Sequence, residues 1–155
     1  MPYTGSQHDR LALRLVLQMC SNSAATATVL RLSASAPPAS DSSALSTSAD
    51  AFFEAAVAAA AHLPSQSVSF ESAPGLTTIE DLLRHAQSST SSLSPILIVL
   101  GRDSGTDLGE GKIARRPHDH VVACLGSLAG YFVANLLHAD VLVVQSKSPP
   151  EASPS

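Results

Sequence analysis

The chain has 155 residues, a formal net charge of −4, 45% apolar residues and two cysteines. This length suits one domain with a real core, and the acidic balance argues against the dense Lys/Arg surface typical of nucleic-acid binding. Two cysteines are too few for a disulfide framework and favour the cytosol. A membrane-spanning helix needs roughly 20 apolar residues. Ala51–Leu63 is too short, and Val121–Val144 is interrupted by polar residues, so the chain by itself is predicted to be soluble.

Helix and strand patterns alternate along the first half of the chain. Leucines at four-residue spacing predict a helix over His8–Cys20, and Ala27–Ser33 reads as a strand. Ser33–Asp50 is rich in Ser and Pro and predicts a loop, since these residues compete with or interrupt backbone pairing. Asp50 is then expected to cap an alanine-rich helix over Ala51–Leu63, which ends before a proline.

The same alternation continues in the second half. Val68–Glu71 alternates apolar and polar residues and predicts a strand, and Thr77 or Thr78 is expected to cap the following helix. The remaining predicted elements are a buried central strand over Ile96–Leu100 that ends at Gly101, a long polar loop over Arg102–Asp119, one helix from about Val122 to about His138, and a second fully buried strand over Val141–Val144.

This order predicts an α/β fold, a doubly wound parallel sheet with right-handed crossovers. Only Pro2–Thr4 precede the first helix, so the first strand is expected to be missing or reduced to a stub. Residues 1–146 are interpreted as one domain, which we expect to be incomplete at its N-terminus, and residues 147–155 as a disordered Ser/Pro tail. An edge left open by a missing strand could pair with a second chain, which makes a homodimer possible.

Several segments together resemble one protein family. Thr4–Leu13 (TGSQHDRLAL) is similar to the segment that opens the C-terminal cytosolic domain of monovalent cation/proton antiporters, the fungal potassium/proton antiporters and plant cation/proton exchangers. Ala25–Leu32 resembles the strand after that segment, and Leu97–Arg102 resembles a strand that ends in Gly-Arg. Leu125–Gly130 and Ala139–Gln145 resemble the last helix start and the closing strand.

The resemblance implies a universal-stress-protein-like fold with sheet order 3-2-1-4-5. It also implies a parent integral membrane protein whose upstream helices exchange potassium or another monovalent cation for protons. The family-motif residues that carry over are Gly5, Asp9, Arg10, Arg102 and Gly130. The chain departs from the family at Gln7 and His8, where the family often has proline and an acidic residue.

A weak nucleotide or anion site is a second hypothesis. Glycines at the start of a helix let backbone N–H groups approach phosphates. Gly101 and Gly105 follow a predicted strand, and Gly126 and Ser127 open a predicted helix. ATP-binding universal stress proteins have a Gly-x-x-Gly motif that is followed, after nine residues, by Gly-Ser or Gly-Thr. The spacing here is different, because three residues separate Gly101 from Gly105 and twenty separate Gly105 from Gly126. The hypothesis names ATP as the one cofactor that such a site would bind. The alternative interpretation of these glycines is a glycine-rich loop that turns and frays and binds no ligand.

Three other groups of residues were weighed for chemistry. His118 and His120 flank an aspartate, but no third protein ligand lies near them in sequence, so no metal site is predicted. The basic residues of Lys112–Arg116 could contact an acidic surface, although acidic neighbours dilute their charge. Cys20 and Cys124 lie among apolar residues, which favours buried, inert thiols.

No Ser/His/Asp arrangement has a supporting context, so no enzyme is predicted. The leading hypothesis is a non-catalytic regulatory domain, or a detached piece, of a potassium/proton antiporter. Its partner would be the transmembrane domain of the parent protein, and nucleic acid is not expected as a partner. The alternatives are a free-standing, universal-stress-like nucleotide-binding protein and a non-functional fragment.

Overall fold

The computed structural model describes residues 1–22, 25–32, 43–89, 95–102, 104, 108–136 and 139–147. Helices and strands alternate along this part of the chain. Their order is β1 (Pro2–Tyr3), α1 (Gln7–Asn22), β2 (Ala27–Arg31), α2 (Ser43–Ala60), β3 (Val68–Ser72), α3 (Ile79–Ser89), β4 (Ile96–Gly101), α4 (Asp119–Leu125), α5 (Ser127–Asn135) and β5 (Ala139–Val144).

All strand pairs in the described residues are parallel, which confirms the predicted α/β class. One sheet has the order β1-β2-β3, and a second pairs β4 with β5. Pro2 lies opposite Leu30 in the first sheet, and Ile96 lies opposite Ala139 in the second. β1 has two residues and lies beside β4, with Cα atoms within 8 Å. The stub that the sequence predicts is therefore a paired strand.

Apolar side chains alternate between two layers, as expected for a sheet covered on both faces. Val29 and Val99 face α1 and α2, while Leu32, Ile98 and Leu100 face α3 and α5. Aromatic rings fill part of the first layer, where Phe53 contacts Tyr3 and Phe70 with ring centroids 5.2 and 5.4 Å apart. The largest core cluster lies in the second layer and is built mainly from residues of α3, β4 and α5.

Reciprocal capping bonds set where α1 and α3 begin. The Asp81 backbone N–H donates to Thr78 Oγ1 over 3.1 Å, and the Asp81 carboxylate accepts from the Thr78 backbone N–H over 3.2 Å. Of the two threonines considered, Thr78 is therefore the cap. The Thr78 hydroxyl also donates to the Asp81 carboxylate over 2.7 Å. This hydrogen bond, more than the one from the Thr78 backbone N–H, holds the pKa of Asp81 below its usual value. Ser6 and Asp9 form the equivalent pair at the start of α1.

The second helix is longer than predicted. The sequence places its start after Asp50, whereas α2 begins at Ser43. Asp50 lies inside the helix and forms an ion pair with Arg31 of β2 instead of capping the helix. Serine and threonine cost only about 0.5 kcal/mol each relative to alanine inside a helix, so a nucleated alanine-rich helix can extend through them. The rest of the predicted loop, residues 33–42, lies outside the described residues.

The helix predicted from Val122 to His138 is two helices, α4 and α5. They are separated at Gly126, whose φ of 87° is incompatible with a continuous helix. The apolar periodicity continues across this break, which explains why the sequence pattern predicts one helix. The strand that follows begins at Ala139, and none of its residues is fully buried, so the prediction of a second fully buried strand is wrong.

Among the described residues, no helix combines the length and apolar character needed to cross a membrane. Most of the predicted tail, residues 148–155, lies outside the described residues.

Candidate functional site at the carboxyl ends of the strands

Several of the residues singled out by the sequence lie together where β1 and β4 end. In open parallel α/β sheets, ligands bind outside the carboxyl ends of the strands, so this edge is the first place to look for a site. Gly5, with a φ of 94°, turns the chain from β1 into α1. Asp9 lies in the first turn of that helix and is fully buried. Its carboxylate is the centre of the cluster.

Asp9 accepts hydrogen bonds from two chain segments, the turn between β1 and α1 and the segment that follows β4. Oδ2 accepts from the Thr4 backbone N–H over 2.9 Å, from Thr4 Oγ1 over 2.6 Å and from the Ser6 backbone N–H over 3.3 Å. Oδ1 accepts from the hydroxyl of Ser104, which follows β4 and is also fully buried. Hydrogen bonds to an ionised group are stronger than neutral ones. The carboxylate therefore fastens the turn between β1 and α1 to the end of β4.

Gly101 makes this fastening possible because it has no side chain. A Cβ atom at Gly101 would meet Asp9 Oδ1 directly and would lie 2.7 Å from the Asp9 backbone nitrogen and 2.9 Å from the His8 carbonyl carbon. Such distances are far shorter than a normal van der Waals contact. The glycine predicted to cradle a phosphate instead accommodates a carboxylate of the protein itself.

Arg102 and Gly126 form a second close contact beside this cluster. A Cβ at Gly126 would overlap the Arg102 carbonyl oxygen and would lie 3.0 Å from the Arg102 carbonyl carbon. The Arg102 guanidinium donates to the Ala123 carbonyl over 2.9 Å, near the end of α4. Ser127 begins α5 directly after this contact. Arg102 thus ties the end of β4 to the junction of α4 and α5.

The remaining predicted residues have separate positions. Gly130 packs α5 against Pro117, where a Cβ would lie 3.2 Å from that ring. The Arg10 guanidinium lies 5.8 Å from the centre of the Phe52 ring, on the α2 side of α1. Gly105 lies outside the described residues. The structure therefore brings Gly5, Asp9, Gly101, Arg102, Gly126 and Ser127 to one edge, while Arg10 and Gly130 lie away from it.

Three further residues that the sequence did not indicate belong to this edge. They are Thr4 and Ser104, which donate to Asp9, and Ser146, whose hydroxyl accepts from the Gln7 side chain. The Ser146 backbone N–H also donates to His8 Nδ1 over 2.8 Å, so the chain after β5 is held to the start of α1. The pattern Ser6-x-x-Asp9 is a recognisable helix-capping signal. Nothing in the sequence indicates Ser104 or Ser146, because the residues of α1 that they contact are distant from them along the chain.

This arrangement stabilises the fold and does not favour an anion site. A phosphate at Gly101 would lie against the buried Asp9 carboxylate, and like charges at close range repel. At Gly126 the space next to the backbone is filled by the Arg102 carbonyl. The glycines thus serve close packing of protein on protein.

The loop before α4 is held to α3. The Gly109 backbone N–H donates to the Thr77 carbonyl over 3.3 Å, and its carbonyl accepts from the Ile79 backbone N–H over 2.8 Å. The Lys112 backbone N–H donates to Glu80 Oε2 over 2.7 Å. The described part of this loop is therefore hydrogen-bonded to the start of α3.

One of the basic residues of this loop is paired with an acidic neighbour. Arg116 forms an exposed ion pair with Glu110 over 2.9 Å, a type of contact that contributes about 0–1 kcal/mol. The rings of His118 and His120 stack with centroids 5.6 Å apart. Within the described ranges, no group of three or more potential ligands could hold a metal ion.

The two cysteines have different surroundings. Cys20 is buried on α1, and burial raises the pKa of its thiol. Cys124 is exposed on α4, so the prediction that both thiols are buried is wrong for Cys124. None of the residues of α4 is buried, so apolar neighbours in sequence do not bury this thiol.

Comparison of the chain with protein-family models, with curated proteins and with solved structures finds no match.

Proposed function

We propose that the chain is a non-catalytic, cytosolic regulatory domain, or a detached piece, of a potassium/proton antiporter. In this proposal, an integral membrane parent exchanges monovalent cations for protons. The domain folds beneath the membrane helices and changes their activity or assembly by docking on them. Its partner is the transmembrane domain, a homodimer is possible, and neither nucleic acid nor a cofactor is required.

The observation that carries the proposal is the placement of β1. The two-residue strand pairs with β2 on one side and lies beside β4 on the other. This is compatible with the universal-stress-protein-like order 3-2-1-4-5 that the family resemblance implies. Asp9 and Gly101, which belong to segments carrying that resemblance, are in contact. The Asp9 carboxylate is buried and accepts four hydrogen bonds, which gives the aspartate of the Asp-Arg segment a structural role at the start of such a domain.

The proposal is tested first by the transcript that encodes the chain. We expect the reading frame upstream of the Met1 codon to encode an apolar strand and then several membrane helices. An in-frame stop codon directly upstream, with no apolar segments before it, would contradict the proposal.

Transport by such a parent protein gives the functional test. Potassium-dependent proton flux in membrane vesicles should change when this domain is deleted, and Gly101→Ala should reproduce the deletion by unfolding the domain. Gly75→Ala is the matched control, because a Cβ there meets nothing within 4 Å. Equal flux from the intact, deleted and Gly101→Ala proteins would overturn a regulatory role.

The nucleotide alternative is tested separately. Because Asp9 and Arg102 fill the space beside Gly101 and Gly126, we expect no saturable binding in equilibrium dialysis with ATP at millimolar concentration. Saturable binding that Gly126→Ala abolishes would favour the free-standing nucleotide-binding protein instead.

A further inference from the structure

A cavity of about 600 Å³ lies at the amino ends of β2 and β4, directly in line with β1. Thr26–Thr28 form one side and Pro95–Val99 the other. Val16 of α1 closes one face, and Leu82 of α3 and Phe132 of α5 close the opposite face. We call this cavity the slot. The slot is bordered by two strands and covered by helices on both faces, as is the position of a central strand in a parallel sheet.

The backbone groups along both sides of the slot suit a strand. The Met1 nitrogen donates to the Thr28 carbonyl over 2.7 Å, and the Leu30 N–H donates to the Met1 carbonyl over 2.8 Å. Since the polar groups of one residue point to the same side of a strand, the Thr28 N–H also points towards the slot. On β4, the Arg102 N–H donates to Val144 of β5, so by alternation the backbone groups of Leu97 and Val99 point towards the slot.

The side chains that close the two faces of the slot favour an apolar occupant, while Glu71, His85 and Ser89 also border it. Met1 packs in the α1 and α2 layer, so the side chain of a residue directly before it would point to Leu82 and Phe132 in the other layer. The next residue back would point to Val16. A strand covered by apolar side chains on both faces is itself apolar at each position. Leu97, although it belongs to a strand between two helical layers, is 43% exposed beside the slot.

The Met1 nitrogen indicates how an occupant would be connected. As a free ammonium it has lost much of its hydration, and burial lowers its pKa to about 6. A peptide N–H in the same position could donate the same hydrogen bond to Thr28 without burying a charge. An amide at this position would thus avoid the cost of burying a charged amine.

We propose that the slot is a strand acceptor, filled by an extended apolar segment of about three residues that is joined to the Met1 nitrogen and runs parallel to β2 and β4. The length follows from the register, since Met1 lies opposite Val29 and only Thr26–Thr28 of β2 line the slot beyond it. The inference rests on the proposed function, in which the segment before Met1 leads back to membrane helices. Strand addition then couples their position to the domain.

The test compares full-length chains with three different extensions directly before Met1: Val-Ile-Val, Ser-Gly-Ser and Val-Pro-Val. Each is preceded by the same Met-Ser-Lys start. We expect Val-Ile-Val to raise Tm by about 5 °C relative to Ser-Gly-Ser. Val-Pro-Val keeps the apolar character but removes the N–H that would donate to the Thr26 carbonyl, so it should give little of the gain.

Variants at the slot identify where the extension binds. Ala86 lines the slot from α3, so Ala86→Phe should remove the gain from Val-Ile-Val. Ala58→Phe places the same side chain at an exposed position of α2 and should leave the gain intact. Hydrogen exchange tests the same binding without any substitution in the slot. The backbone amides of Thr28, Leu97 and Val99 should exchange at least about tenfold more slowly in the Val-Ile-Val chain than in the Ser-Gly-Ser chain.

Equal Tm and equal exchange for the Val-Ile-Val and Ser-Gly-Ser chains would overturn the proposal. Equal gains from Val-Ile-Val and Val-Pro-Val would also overturn it, because burial without strand pairing would then explain the effect. Protection of the same amides by a separate Lys-Lys-Val-Ile-Val peptide, but not by the joined extension, would assign the slot to a different chain. These outcomes concern only the slot, whereas the upstream reading frame and the flux measurement test the antiporter proposal.

Discussion

The junction between β1 and β4 differs at its two ends. At the carboxyl end, Asp9, Gly101 and Ser104 are fully or almost fully buried and are joined by hydrogen bonds and close contacts. At the amino end, the same two strands border a cavity of about 600 Å³. The difference is caused by the length of β1, because its two residues cover only the carboxyl half of the neighbouring strands.

The two ends therefore differ in how β4 is joined to the rest of the sheet. Where β1 is present, a buried carboxylate joins α1 to β4. Beyond the amino end of β1, β2 and β4 are separated by the slot and lack the pairing that a central strand would provide. Substitutions at the closed end are expected to have larger effects than changes at the open end.

The largest effect is expected from Gly101→Ala. The new methyl group would overlap the Asp9 carboxylate and the start of α1, which cannot move without breaking the hydrogen bonds to Thr4 and Ser104. We expect the free energy of unfolding to fall by about 3 kcal/mol, measured by urea denaturation. Gly75→Ala is the control and should change it by less than about 0.5 kcal/mol. Equal stability of the two variants would show that the closed end is not tightly packed.

Ser104→Ala should have an intermediate effect. It removes one donor from a buried carboxylate that keeps its bonds to Thr4 and Ser6. A hydrogen bond to a charged group contributes about 1.5–3 kcal/mol, and we expect a loss near the lower end of this range. Ser69→Ala, which removes an exposed hydroxyl contact to Thr28, is the matched control. A loss no greater than that of the control would contradict the role given to Ser104.

A smaller effect is expected from pH at the open end. Burial lowers the pKa of the Met1 amine from 8.0 to about 6, so between these values the unfolded chain binds more protons than the folded chain. Stability should therefore rise from pH 6 to pH 8, by about 1 kcal/mol, since the partial exposure of Met1 reduces the full effect of the shift.

Acetylation of the Met1 amine separates this effect from those of other groups. Glu71 and His85 also line the slot and remain unchanged in the acetylated chain. Thermal unfolding from pH 6 to pH 8 should then lose the Met1 contribution. If both forms show the same pH dependence, the amine is not desolvated in the folded chain.

The smallest expected effect concerns the two thiols, and it is measured as a rate of chemical labelling. Cys124 is exposed and should react with a thiol reagent within seconds, while Cys20 packs against Val99 near the slot and should react only when the sheet opens. The Val-Ile-Val extension should slow the labelling of Cys20 and leave Cys124 as an internal reference. Mass spectrometry of the labelled peptides gives both rates. An unchanged Cys20 rate would show that the slot does not control access to α1.

Much of the local structure follows from the sequence. Leucine spacing predicts α1, and the run Ile96–Leu100 predicts β4. Two threonines followed by acidic residues predict the start of α3, although only the structure shows that Thr78 is the cap. These predictions hold because each depends on residues close together in the chain. The extent of α2 was missed, since a helix can extend through weak helix formers once it is nucleated.

The candidate site was only partly predictable for the same reason. Gly101 and Asp9 were both singled out, but nothing local indicates that one accommodates the other. The close approach of the Arg102 carbonyl to Gly126 likewise involves two distant segments and has no local signal. The bond from Ser104 to Asp9 spans 95 residues and left no pattern in the sequence.

The sequence by itself determined the alternation of helices and strands, the parallel α/β class and the shortness of the first strand, because periodicity, capping and chain breakers act over a few residues. Only the tertiary structure decided that the glycines pack against protein groups, that Cys124 is exposed, and that the short first strand leaves a slot between β2 and β4. These properties depend on which distant segments meet, and that is decided by how both faces of the sheet are buried.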